Sequence, residues 1–458
     1  MNCNLPVMNS WHSFSPNGRW LVFSSKGFSP FTQMFLTHID EEGNDSPPIL
    51  IPDSTADNRA VNIPEFLNNS PDAIASIRTP TQESYRHFKK AQELRGNGRD
   101  AEALAELEKS LQLNPFYAKA HNDKGYILFK AGELDQAMVC FNKAIELDSD
   151  NGMARSNLGS VLQSQGRLDE AVDQYKQALE LDPGLVDAHF NYANILKTQE
   201  KLNEAIVHYR YAIAIEPSLA EAHCNLGITL QQKGMIEDAM QSFQKALDAN
   251  PDYAKAHHNL GVATARQGDM AAAAKHLKRC VELTPDNPFA HFDLARVFHA
   301  KGQYDSSINH YSETLRIRPD HLRARMGLAD VLFRQGRLLR AAEECRAILR
   351  AQGESTAALN LLAWILATSE GDVADHSQAV ELAEKACRLT ERKAPELLDT
   401  LAAAYAAAEK YSQAVATARE AIELANQGGN KELAKTVQGR LELYSRDKPY
   451  IQPSRPQE

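Results

Sequence analysis

Residues 220–253 read AEAHCNLGITLQQKGMIEDAMQSFQKALDANPDY, and Gly234 divides them into two runs of helical character. A glycine between two such runs reads as a C-cap and turn, because it reaches positive φ without a Cβ penalty. Pro251 marks where the second run stops. The stretch predicts a helix, a glycine turn, a second helix and a proline stop, which together make one helical hairpin.

The same pattern recurs on both sides with a period of 34 residues. Pro115, Pro183, Pro217, Pro251, Pro285 and Pro319 keep that spacing, with Ser149 in the one missing place. The glycine turn recurs at Gly98, Gly132, Gly166, Gly234, Gly268, Gly302 and Gly336, with Glu200 the exception. A small residue stands at 91, 125, 159, 193, 227, 261, 295 and 329, and an alanine at 103, 137, 171, 205, 239, 273 and 341, broken by Ser307. An aromatic ring stands at Phe141, Tyr175, Tyr209, Phe243 and Tyr311, broken by Leu277. The small residue admits a neighbouring helix and the ring fills the gap beside it. One hairpin cannot bury its own apolar stripe, so successive units must stack into a solenoid.

This set of small, Gly, Ala, aromatic and Pro positions resembles the tetratricopeptide repeat, specifically so from Ser84 to Asp320. An eighth unit from Leu322 keeps Ala329, Gly336 and Ala341, with Cys345 in the aromatic place. Two more survive with an insertion, carried by Leu362-Ala363-Trp364, Ala379 and Ala386, then by Ala402, Tyr405, Ala414 and Ala421. The resemblance implies an all-α, right-handed superhelix of ten units: 84–117, 118–151, 152–185, 186–219, 220–253, 254–287, 288–321, 322–355, 356–393 and 394–428. A capping helix is expected over 429–445, then a disordered tail over 446–458.

Before the repeats the pattern changes to a small antiparallel β-sheet, expected over residues 1–52. Residues 14–23 read FSPNGRWLVF, a Pro-Asn-Gly turn between strand-like runs. They resemble the blade motif of TolB-type, WD40-like β-propellers, with Asn17 where the motif has Asp. A propeller needs at least four blades and there is room here for one. Either Met1 lies inside a longer reading frame, which by the resemblance implies a bacterial periplasmic adaptor, or the lone sheet packs on the first hairpin. Residues 53–83, rich in Asn, Ser, Asp and Pro, read as a linker.

The 458 residues are 43% apolar and 24% charged, which fits a folded chain and excludes collagen and wholesale disorder. The longest apolar stretch, near Ala357–Ala367, is too short to span a bilayer, and Met1–Ser10 lacks a signal peptide, so the chain as written is expected to be cytoplasmic. A net charge of −10 argues against general nucleic-acid affinity. The six cysteines show neither zinc nor disulfide spacing.

No P-loop, HExxH or GxSxG motif is present, and no cofactor, metal or catalytic residue is expected. Function should lie on the concave face lined by first helices. The sixth residue of successive units is Asp123, Asn157, Asn191, Asn225, Asn259 and Asp293, flanked by Lys89 and Gly327. An amide both donates and accepts, so such a ladder can pair with a peptide backbone whatever its side chains. It resembles the asparagine ladder of O-linked N-acetylglucosamine transferases, and that resemblance carries the peptide-binding role to the four asparagines alone. The alternative is that each amide bonds between neighbouring helices.

Further along the same helices, Gln163, Lys197, Gln231 and Arg266 are expected to form a polar second row, with an ordinary solvated face as the alternative. Arg316, Arg318, Arg323, Arg325, Arg334, Arg337 and Arg340 belong to a local balance of +5 between residues 316 and 350, either a patch for an anionic partner or a salt-bridged helix face. His121, His189, His223, His257 and His291 share the fourth position, but helix-packing distances of about 8 to 10 Å keep them from converging on one metal. Trp364 reads as core. The expected function is a non-catalytic scaffold for other proteins or peptide segments, with neither nucleic acid nor membrane insertion. The alternatives are the targeting arm of a glycosyltransferase-like system and an envelope adaptor; the oligomeric state is not legible.

Overall fold

The computed structural model describes residues 80–452, with side chains from Glu83 except that of Asp372. It also describes the backbone of Asn9–Phe14, Trp20–Ser25, Gln33–His38 and Ile49–Leu50, paired antiparallel in chain order. The propeller-blade reading gains no support there, because the side chains that suggested it lie outside the described residues, as do 53–79 of the expected linker. The helical part begins at Pro80, inside the stretch read as linker, since proline fits the first turn of a helix.

The described residues form 21 α-helices in two compact units, divided along the chain between Ile215 and Glu216. The first unit holds four hairpins: Pro80–Gly96 with Asp100–Leu113, Ala118–Lys130 with Leu134–Leu147, Gly152–Ser164 with Leu168–Leu181, and Val186–Thr198 with Leu202–Ile215. The second holds six: Ala220–Gln232 with Ile236–Ala249, Ala254–Arg266 with Met270–Leu283, Pro288–Ala300 with Tyr304–Ile317, Leu322–Arg334 with Leu338–Ala351, Thr356–Thr368 with His376–Leu389, and Pro395–Ala407 with Tyr411–Gln427. Lys431–Tyr444 closes it. Within each unit the second helix of a hairpin packs on the first helix of the next. Consecutive first helices from Ala118–Lys130 onward also touch within each unit, so they line one face. Among the described residues no helix is long and apolar enough to cross a membrane.

The 34-residue pattern has a physical cause at each position. The turn glycines take φ from +72° to +90°, and Glu200 is forced to +60° in the same place. The amide that follows bonds back to the helix, as Met235 N to Leu230 O at 3.0 Å, which closes a Schellman cap. The alanines at 103, 137, 171, 205, 239, 273 and 341 are wholly buried.

The chain end departs from the expected disorder as far as Gln452. Tyr450 packs its ring 5.9 Å from that of Trp364, and Gln452 receives a hydrogen bond from Trp364 Nε1 at 2.8 Å while its own amide bonds Thr368 O at 3.0 Å. Residues 453–458 lie outside the described residues.

Candidate functional site

In seven of the first helices the fourth residue clasps the turn that leads into that helix. His189 Nε2 lies 3.1 Å from Pro183 O, and the same reach joins His121 to Pro115, His223 to Pro217, His257 to Pro251 and His291 to Pro285. Where the position is arginine the guanidinium does it, Arg155 to Ser149 O and Arg325 to Pro319 O, each at 3.1 Å. A carbonyl can only accept, so each imidazole donates from Nε2 and its Nδ1 carries the lone pair when neutral. In three hairpins that lone pair meets a second histidine: His189 with His208 at 2.9 Å, His257 with His276 at 3.1 Å, His291 with His310 at 3.0 Å. These histidines are structural clasps, and among the described residues no cluster could hold a metal.

The sixth-position side chains are tied to neighbouring helices. In the first unit, Asn157 Nδ2 donates to Asn122 Oδ1 at 2.9 Å, Asn191 Nδ2 to Ser160 Oγ at 3.4 Å, and Asp123 pairs with Arg95 at 3.3 Å. In the second, Lys255 Nζ donates to Asn225 Oδ1 at 3.0 Å, Asn259 Nδ2 donates to Cys224 Sγ of the neighbouring helix at 3.9 Å and to Lys255 O of its own helix at 2.8 Å, and Asp293 accepts from His258 at 3.1 Å and from Arg296 of its own helix at 3.3 Å. Asn225 is buried and the other three amides are half-buried. Gly327 breaks the series because the ring of Tyr311 fills its place, 2.5 Å from where a Cβ would stand. In the second row, Gln163 accepts from Tyr175 Oη at 3.0 Å; Lys197 and Gln231 are half-buried and Arg266 is exposed.

The first-helix face of the second unit holds clefts that its hairpins leave unfilled. One, of about 490 Å³, spans the first helices Ala254–Arg266 and Pro288–Ala300; Val262 and Val297 line it, with Phe289, Phe292 and three arginines, Arg266, Arg296 and Arg323. A second, of about 730 Å³, reaches from Arg323 and Phe333 past Leu361 and Trp364 to Asp399 and Arg440. A third, of about 500 Å³, lies at Arg296, Tyr304 and Arg334.

Trp364 is therefore a wall of a cleft as well as a core neighbour. It stands three residues after Leu361, on the half-buried stripe of its helix, and Arg440 lies over it at 5.0 Å while holding buried Asp399 through Nε at 2.9 Å. Phe289, Phe292, Arg296, Phe333 and Arg440 were not singled out in the sequence. Their signal was register: Phe289 shares the second position of its unit with Arg323, and Arg296 the ninth with Trp364.

Four of the seven arginines of the expected patch are paired with carboxylates. Arg316 pairs with Glu313 and Asp286, Arg318 with Asp320, Arg325 with Glu344 and Arg334 with Asp330, while exposed Arg337 and Arg340 flank the start of a second helix. Of the seven, Arg323 and Arg334 line the clefts.

Models of the tetratricopeptide repeat match residues 118–151, 140–173, 159–200, 193–234, 224–288 and 292–356, together just over half of the chain. Similar solved structures include YrrB, described as a TPR protein with an unusual peptide-binding site: 25% identical, covering 43% of this chain and 97% of that one, TM-score 0.36. Pseudomonas aeruginosa pilF is 21% identical over 47% of this chain and 98% of its own, TM-score 0.42. The Cut9–Hcn1 structure is 18% identical over 64% and 58%, TM-score 0.43. No curated protein matches the chain in sequence.

Proposed function

Because this chain belongs to the tetratricopeptide-repeat family, we propose that it is a non-catalytic scaffold that holds extended segments of partner proteins along the first-helix faces of its hairpins. The observation that carries this reading is the run of clefts in the second unit, floored by Phe, Val, Leu and Trp side chains and edged by arginine. Hairpin packing accounts for the alanines, glycines and second-helix rings, whereas Phe289 stays exposed and Val262, Phe292, Leu361 and Trp364 stay half-buried at the cleft walls. Apolar area of this kind is what a bound segment removes from solvent, at about 25 cal/mol per Å².

The sixth-position residues, Asn157, Asn191, Asn225, Asn259, Asp123 and Asp293, belong to the same reading as contacts to a peptide backbone, each worth about 0.5 to 1.5 kcal/mol net. Gln163, Lys197, Gln231 and Arg266 extend that face. Each of the four asparagines already bonds a neighbouring helix, so the clefts dominate. Nothing favours the glycosyltransferase-arm or envelope-adaptor alternatives.

Photo-crosslinking tests the reading. A benzoylphenylalanine at exposed Ala300 or Ala357, both on cleft walls, should capture partner segments from a lysate of the source cells. The same group at Leu339, an exposed second-helix residue, should not. Equal capture from all three, or capture from Leu339 alone, would overturn the proposal.

A further inference from the structure

We infer that the cleft between Ala254–Arg266 and Pro288–Ala300 is an anchor pocket for acidic peptide segments, in which a bulky apolar side chain enters the cleft and flanking carboxylates meet Arg266 and Arg323. The inference rests on the scaffold reading and names the chemistry of what is bound. The floor is apolar: Leu277 is wholly buried beneath it, Val297 is 3% exposed, and Val262 and Phe292 close its sides. At about 490 Å³ it lies within the range of ligand pockets. Phe289 beside it keeps 54% of its surface exposed, an apolar side chain that nothing in the unit covers.

The rim fixes the sign. Three arginines line the cleft against one carboxylate, Asp293, and that carboxylate is already held by His258 and Arg296. Arg266 and Arg323 have no carboxylate within 4.0 Å among the described residues, although Asp and Glu outnumber Lys and Arg in the chain by 60 to 50. Arg296 lies over the Phe292 ring at 5.7 Å, which leaves the floor apolar up to the guanidinium. A guanidinium fork matches a carboxylate through two parallel N–H···O bonds, and an apolar floor lowers the local dielectric that would otherwise weaken them. Rings with arginine also suit single-stranded nucleic acid. A backbone-tracking basic groove is required for that, and a chain of net charge −10, in which just over half of the other described arginines pair with carboxylates, does not provide one.

Selection of phage-displayed random dodecapeptides on the full chain tests the inference, with a fluorescein-labelled oligo-dT as counter-probe. Enriched peptides should carry Asp or Glu next to Phe, Tyr, Trp or Leu. Their affinity should fall at least about tenfold in Arg266→Ala with Arg323→Ala, and fall with added salt. Arg346→Ala, an exposed second-helix change, should leave it unaltered. Both cleft arginines are exposed, so the double charge reversal Arg266→Glu, Arg323→Glu should fold, as circular dichroism can verify, and should turn the selection to Lys- and Arg-flanked peptides. Enrichment of uncharged or basic peptides by the wild type, or acidic peptides indifferent to the arginine changes, would overturn the inference and leave the scaffold reading standing. Oligo-dT binding lost in the double alanine variant would overturn it in favour of nucleic acid. Enrichment of no peptide at all would count against both readings.

Discussion

Gly227 lies under the ring of Phe243: a Cβ on the glycine would come 2.5 Å from Phe243 Cε1 and 3.0 Å from Ala239 O. The same closeness joins Gly125 to Phe141, Gly159 to Tyr175 and Gly261 to Leu277. It is the contact that lets two helices of a hairpin cross at backbone distance. Gly227→Leu should overpack that crossing and cost about 1 to 3 kcal/mol or more. Thermal unfolding followed by circular dichroism reads it, and an unchanged transition would refute the contact.

Glu200 gives a prediction of opposite sign. It stands where seven other hairpins place glycine and holds φ at +60°, a region that costs a side-chain-bearing residue about 1 to 2 kcal/mol. Glu200 is exposed, so little is lost with its side chain. Glu200→Gly should therefore raise the unfolding midpoint, by less than that cost because glycine also loosens the unfolded chain.

The three histidine pairs make stability depend on pH. Burial, and then the neighbouring His189, push His208 down to about 4, and His310 is pushed to about 4 by burial and His291. Glu204 beside His208 and Glu313 beside His310 pull the other way, and Lys278 adds to the depression at His310. A depressed base is neutral in the folded state while the unfolded chain takes up protons. The stabilising contribution is thus complete above about pH 6.5 and is lost as pH falls toward 4. Glu106, held near 2 chiefly by its bond to His87, titrates below that window. Unfolding midpoints between about pH 7.5 and 4.5 should fall more steeply for the wild type than for the His208→Gln, His310→Gln variant.

The repeats were legible because their determinants are local. Gly234, Ala239, Phe243 and Pro251 each report on a hairpin that closes within its own unit, so spacing alone exposes them. What spacing hides is partnership between units. The histidines show a period but not that each caps the carbonyl six residues back, and the asparagines show a period but not that Asn157 bonds Asn122. Gly327 looks like a lapse in the amide series until Tyr311 of the preceding hairpin is seen in its place. Trp364 reads as core because its neighbours are apolar on every side in sequence, whereas the helix turns it and Leu361 into the cleft. The segment through Gln452 has no periodicity to read, and its order comes from Tyr450 and Gln452 meeting Trp364.

The clasp at the chain end yields the last prediction. Asp399 and Arg440 are both nearly buried, at 7% and 11% side-chain exposure, and face each other through two hydrogen bonds. Burial raises the Asp399 carboxyl, and the Arg440 guanidinium facing it opposes that rise. Arg440 in turn lies over the rings of Trp364 and Tyr450, which joins the closing helix, the Thr356–Thr368 helix and the final segment in one contact. Removing one partner leaves the other charged and buried, so Asp399→Ala should cost about 3 to 5 kcal/mol. In a repeat array that loss falls on the neighbouring elements first. Amide hydrogen exchange should accordingly quicken in Lys431–Tyr444 and leave Ala220–Gln232 unchanged. Replacing both partners with apolar residues, Asp399→Leu with Arg440→Met, removes the stranded charge and should restore much of the protection. Faster exchange in the double variant than in Asp399→Ala would show that the ring stacking, and not the buried pair, holds the closing helix.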